Sequence, residues 1–121
     1  MNIAQRKALH IADVSGSALF NADCMDILPL IPDKSVQLIL ADLPYGTTMC
    51  EWDVVLPLDM LFEQYKRILS DNGNIALFGS QPFSTDLIIA GRDIFRYELI
   101  WEKHQGSNMY EAKKNYISII C

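Results

Sequence analysis

Residues 36–46 read VQLILADLPYG, and the fold class turns on them. Val36 to Ala41 is a nearly continuous apolar run, the pattern of a strand buried on both faces of a parallel sheet. It stops abruptly at Asp42-Leu43-Pro44-Tyr45-Gly46. Just before it, Pro32-Asp33-Lys34-Ser35 is turn chemistry. Further upstream, Ser17 to Ala22 (SALFNA) is short and mostly apolar and reads as a strand. Asp23 is placed to cap a short helix holding Met25, Ile27 and Leu28.

Downstream of the run, Pro57 suits the first turn of an amphipathic helix. Leu58, Leu61, Phe62, Tyr65, Ile68 and Leu69 fall on one face at helical spacing, and Asp59, Glu63, Gln64, Lys66 and Arg67 on the other. Ser70-Asp71-Asn72-Gly73 reads as its end. Asn74 to Phe78 (NIALF) reads as a second buried strand closed by Gly79. Ser84 to Gly91 (STDLIIAG) has a helix cap at one end and a glycine stop at the other. Phe95 to Trp101 (FRYELIW) alternates and reads as a third strand, and Asn115 to Ile120 (NYISII) as a candidate fourth. Strand, helix, strand, helix, strand is the rhythm of a parallel α/β sheet with helices on both faces. Ligands of such sheets gather outside the carboxyl ends of the strands, where Asp42-Leu43-Pro44-Tyr45 falls.

The 121 residues suit one domain, 1–121, with residues 1–16 a candidate for a poorly ordered lead-in. Half of the residues are hydrophobic and 21% are charged, which a packed core requires and a disordered chain lacks. A net charge of -5 excludes a uniformly basic nucleic-acid coat. Charge is uneven: residues 1–91 hold 5 basic and 11 acidic side chains, residues 92–121 hold 5 and 4. The last thirty residues are therefore the better contact for a polyanion. Three widely spaced cysteines, Cys24, Cys50 and Cys121, without a C-x-x-C, fit reduced thiols better than disulfides or structural zinc. The N-terminus has no secretory pattern and no segment reaches the ~20 apolar residues of a membrane span, so the expected location is the cytoplasm.

Alone, Asp-Leu-Pro-Tyr also has a purely conformational reading, since strands often stop at Asp and Pro. Its surroundings extend the signal. Asp42-Leu43-Pro44-Tyr45, followed by Gly46-Thr47-Thr48 and Trp52-Asp53, resembles the Asp/Asn/Ser-Pro-Pro-aromatic hallmark of the amino-methylating DNA methyltransferases, which modify adenine N6 or cytosine N4. FNADCMDILPLIPDKSVQLILADLPYGTT resembles the opening of the family's permuted members, and LFGSQPFSTDLI and YELIWEKHQGSNMYEAKK their later segments. The resemblance runs over residues 18 to 118. Leu43 departs from the usual Pro, but the role assigned there belongs to the main-chain carbonyl, which Leu also has.

The resemblance implies a partial Rossmann-like sheet of the class I methyltransferases, incomplete on its C-terminal side. It implies S-adenosylmethionine as cofactor and DNA as partner. Asp42, Leu43, Pro44 and Tyr45 are the implied catalytic turn. An exocyclic amine is a weak nucleophile because its lone pair is delocalised into the base. The Asp42 carboxylate and the Leu43 carbonyl, both acceptors, would draw its nitrogen towards tetrahedral geometry. Pro44 would fix the turn, and Tyr45 would offer a face to a base swung out of the duplex. Asp23, which also reads simply as a helix cap, and Asp42 are the implied cofactor contacts. Thr47, Trp52, Lys103, Asn108 and Lys113 are candidate DNA contacts, against plainer readings of Trp52 as a loop anchor and of the lysines as solvated. His10 and His104 belong to no base or metal constellation, and no metal is expected.

The family's glycine-rich cofactor loop, Phe-x-Gly-x-Gly, does not occur in the sequence, where Gly73, Gly79, Gly91 and Gly106 stand apart. The expectation is thus a catalytic half, active alone or with a second polypeptide supplying the missing half. The alternatives are an inactive remnant that survives as a binding fragment and, more remotely, a methyltransferase acting on RNA or a protein amide. Adenine N6 and cytosine N4 present the same amine to the same acceptors and are not separated by these residues.

Overall fold

The structure is a computed structural model, and it describes residues 10–102. Those residues form a small α/β domain with a two-stranded parallel sheet, a hairpin and helices. The elements are β1 (His10–Val14), β2 (Ser17–Phe20), α1 (Cys24–Ile27), a 3-10 turn (Leu28–Leu30), β3 (Val36–Asp42), α2 (Leu58–Ile68), β4 (Leu69–Phe78) and α3 (Phe83–Ala90). β1 pairs antiparallel with β2, whereas β3 pairs parallel with β4. Two compact units divide the chain. One runs to Ile39 and includes Glu63–Ile75; the other takes Leu40–Phe62 and residues from Ala76 onward. Among the described residues no helix is long and apolar enough to cross a membrane.

In the first unit, β2 matches the strand expected from SALFNA, but its partner β1 was not foreseen, because residues 1–16 read as a lead-in. The signal was present in Val14-Ser15-Gly16-Ser17. Ser15 and Gly16 both adopt positive φ, 51° and 82°, as a tight two-residue hairpin turn of the primed type demands. Asp23 caps α1 as expected, its Oδ1 accepting from the Met25 amide at 2.8 Å. The turn at residues 32–35 is closed by Ser35 Oγ donating to the Pro32 carbonyl, with Lys34 at φ 56°.

Arg67, which the sequence placed only on a solvent face, ties this unit together. Its Nη2 donates to the Leu28 carbonyl at 2.8 Å and its Nη1 to the Ile31 carbonyl at 2.9 Å. Nη1 also pairs with Asp33, and Nε donates to Gln64 Oε1. The Lys34 amide donates back to the Arg67 carbonyl at 3.0 Å. One planar fork thus serves two main-chain carbonyls at the 3-10 turn, that of Leu28 sharing its acceptor with the Ile31 amide. Lys34 Nζ pairs with Asp71 at 2.8 Å, which holds that carboxyl below its ordinary range.

The helix α2 follows its pattern. Leu61, Phe62, Tyr65 and Ile68 are buried, Leu58 is half-buried, and Asp59 in the first turn with Lys66 and Arg67 in the last suits the helix dipole. Four readings need correction. β4 begins at Leu69, so the Ser-Asp-Asn-Gly stretch is taken into the strand instead of forming a loop. β3 is not buried on both faces: Ile39 is buried, whereas Leu38 and Leu40 on the opposite face are 57% and 63% exposed. A continuous apolar run cannot by itself show which of its faces is covered. FRYELIW is not a strand, and Phe95 to Trp101 are exposed without regular structure. α3 starts one residue before Ser84, with Pro82 at the N-cap and no side-chain cap. Ser84 is instead buried, and its Oγ finds no hydrogen-bond partner among the described residues. The Gly91 stop holds, its amide donating to the Leu87 carbonyl. The candidate strand at residues 115–120 lies outside the described residues.

Candidate functional site

Asp42 is the last residue of β3, so the chain leaves the carboxyl end of a parallel strand directly into Leu43-Pro44-Tyr45. Leu43 is buried, while Asp42 is exposed. Alternation explains the difference, because successive side chains leave a strand on opposite sides. Tyr45 then folds back. Its hydroxyl donates to Asp42 Oδ1 at 2.7 Å, and its ring stacks on Phe83 with centroids 5.0 Å apart and an interplanar angle of 23°. Burial first, and then the bond to Asp42 and its charge, push the Tyr45 phenol up to about 12. One face of the ring proposed for a base is therefore already covered by Phe83.

Beyond Tyr45 the chain makes a closed loop. Gly46 has φ 68°, and a Cβ there would lie 2.7 Å from Val55 Cγ2, so both backbone conformation and space require glycine. Asp53 is buried, and its carboxylate accepts from three successive amides. Gly46 donates to Oδ1 at 2.9 Å, and Thr47 and Thr48 to Oδ2 at 2.9 and 2.7 Å. The Asp53 amide in turn donates to the Cys50 carbonyl. The Thr48 hydroxyl, the Gly46 amide and the other amides hold the Asp53 carboxyl down to about 2. Trp52, by contrast, is 72% exposed. The loop anchor is Asp53 and not the neighbouring Trp, which corrects the plainer reading of Trp52.

The structure brings together Asp42, Leu43, Pro44, Tyr45 and Thr47. It adds Phe83, which sequence reasoning had not assigned to the site, and it gives Asp53, noted in the sequence only beside Trp52 after the turn, the role of loop anchor. For Asp53 a signal existed, an Asp shortly after a Gly-Thr-Thr turn, since carboxylates commonly collect loop amides. For Phe83 there was none, because a Phe at a helix start is ordinary core. Asp23 belongs to the first unit, where its carboxylate is exposed and caps α1. Beside it, partial burial and the Asp23 charge push the Cys24 thiol up. Lys103, His104, Asn108 and Lys113 lie outside the described residues. No group of three His, Cys, Asp or Glu among the described residues is placed to hold a metal ion.

Chemically, the turn offers an exposed carboxylate whose one oxygen already accepts a phenol, set on a backbone fixed from both sides. Such a group accepts N–H donors and attracts cations. No protein-family model matches the chain.

Proposed function

We propose that the chain is the catalytic half of an S-adenosylmethionine-dependent DNA methyltransferase acting on the exocyclic amine of adenine or cytosine, built on a partial Rossmann-like sheet. The observation that carries this reading is the Asp42–Tyr45 turn at the carboxyl end of parallel β3, with Asp42 exposed and Tyr45 bonded to it. That is where α/β sheets place ligands. The exposed Asp42 carboxylate also fits the cofactor, since the ligand carries an ammonium. Asp42 would hold that ammonium end. When bound, the cofactor supplies a methyl group activated by its positive sulfur.

The protein's own part is orientation and electrostatics. Asp42 and the Leu43 carbonyl accept the amine's two N–H bonds and localise its lone pair. Accepting the amine competes with the Tyr45 hydroxyl for Asp42, so this phenol shifts as substrate enters. The ring face opposite Phe83 serves the extruded base. Thr47 and Trp52, on the exposed loop beyond, would meet the nucleic acid, together with Lys103, Asn108 and Lys113.

A form completed by a second polypeptide is favoured by exposed apolar side chains, including Leu38, Leu40, Leu99, Ile100 and Trp101, beyond what a solitary surface usually carries. Transfer of labelled methyl from S-adenosylmethionine to DNA tests the reading. Transfer that is abolished by Asp42→Ala supports it. Absence of both transfer and cofactor binding by the folded chain favours the inactive remnant, and transfer to RNA or protein alone would change the substrate class.

A further inference from the structure

The Asp53 carboxylate is expensive to bury, and the structure spends it on one short segment. An ionised side chain removed from water is tolerated only when its acceptors are filled. Here they are filled by the amides of Gly46, Thr47 and Thr48, the three residues immediately after Tyr45. Tyr45 is thus held on both sides, by β3 ending at Asp42 and by the loop that Asp53 closes. Between them its ring lies on Phe83 and its hydroxyl on Asp42. Rotation at Gly46 is what would release Tyr45, and Gly46 is both the most permissive residue of the loop and the one bonded to Asp53 Oδ1.

We propose that Asp53 is a positioning residue for the Asp42–Tyr45 turn: by gathering three consecutive amides it fixes the backbone that keeps Tyr45 on Asp42. Its consequence for turnover rests on the methyltransferase reading. Its consequence for the turn does not.

The test uses the full chain, with Asp53→Asn and, as a milder variant, Thr48→Val. Asp53→Asn leaves one acceptor oxygen and turns an N–H donor towards loop amides. Amide hydrogen exchange is read at residues 46–48 against α2, and the Tyr45 phenol is titrated by carbon NMR, assigned with Tyr45→Phe. The expected result for Asp53→Asn is exchange faster by about tenfold or more at residues 46–48, the equivalent of one lost hydrogen bond, with α2 unchanged. The Tyr45 phenol then titrates at lower pH, and kcat falls by roughly ten- to a hundredfold with little change in the KM for S-adenosylmethionine. Unchanged exchange at these amides, an unchanged Tyr45 titration, or acceleration spread equally over α2 would overturn the proposal. If Asp53→Asn does not fold, Thr48→Val decides: local acceleration and a higher Asp53 titration support the clamp, and their absence overturns it. If the wild-type chain transfers no methyl group, the methyltransferase reading fails, while exchange and titration still decide the role of Asp53.

Discussion

Tyr45 and Asp42 form a pair whose titration is a direct readout of the site. The Tyr45 phenol is pushed up to about 12, by burial before Asp42. Asp42→Asn should therefore lower its midpoint only part of the way to 10, and spectroscopic titration of the assigned tyrosine checks this. A phenol raised in the folded state stabilises fully below its ordinary value, and that stabilisation is lost as pH rises through about 12. The Asp53 carboxyl has the opposite sign. It is held at about 2 against an ordinary 3.8, so its contribution is complete above 3.8 and disappears as pH falls towards 2. Amide shifts of Gly46, Thr47 and Thr48 should stay constant from neutral pH down to 3.8 and move together below it. The residues that sequence could assign here were those with a distinctive type at a strand end. Phe83 escaped because its role depends on what α3 brings to the turn, and Asp53 was noted beside Trp52 without its role as acceptor of the loop amides.

Among the elements, α2 was legible except at its end, where Leu69 opens β4, because its apolar period matches the helix, and its burial follows. Leu61 is entirely enclosed, so Leu61→Ala should cost about 2–5 kcal/mol in denaturant unfolding. Arg67 illustrates what periodicity hides, since a charged residue on the outer face serves two main-chain carbonyls of a distant turn. Removing it takes this donor from the Ile31 carbonyl and leaves the Leu28 carbonyl with the Ile31 amide, and Arg67→Ala should lose roughly 1–3 kcal/mol. Arg67→Lys should restore only part of this, because an ammonium cannot bridge both carbonyls as the planar fork does. The β1–β2 hairpin was missed for the opposite reason: its turn chemistry was written plainly in Ser15-Gly16, but the preceding residues lacked a clear alternation. The FRYELIW segment alternates and still forms no strand, since alternation needs a partner edge before it becomes structure.

For the molecule as a whole, the parallel pairing of β3 with β4 was readable from two apolar runs joined by a helix. What covers each face was not, because hydrophobic content alone does not count layers. Leu38 and Leu40 stand exposed on β3, and Leu99, Ile100 and Trp101 follow α3 in the same condition. A surface of this kind favours association, and addition of a polypeptide carrying the glycine-rich loop should raise both thermal stability and cofactor affinity. Light scattering and a thermal scan with and without it would check the expectation.

On the proposed function, the Asp42–Tyr45 turn would bind the methyl donor and direct its methyl group to a nucleobase amine. Calorimetric titration of the purified chain with S-adenosylmethionine, beside Asp42→Ala, tests it most directly. Saturable binding in the micromolar range that Asp42→Ala abolishes while the fold persists is the expected result. Binding that survives Asp42→Ala unchanged would contradict it.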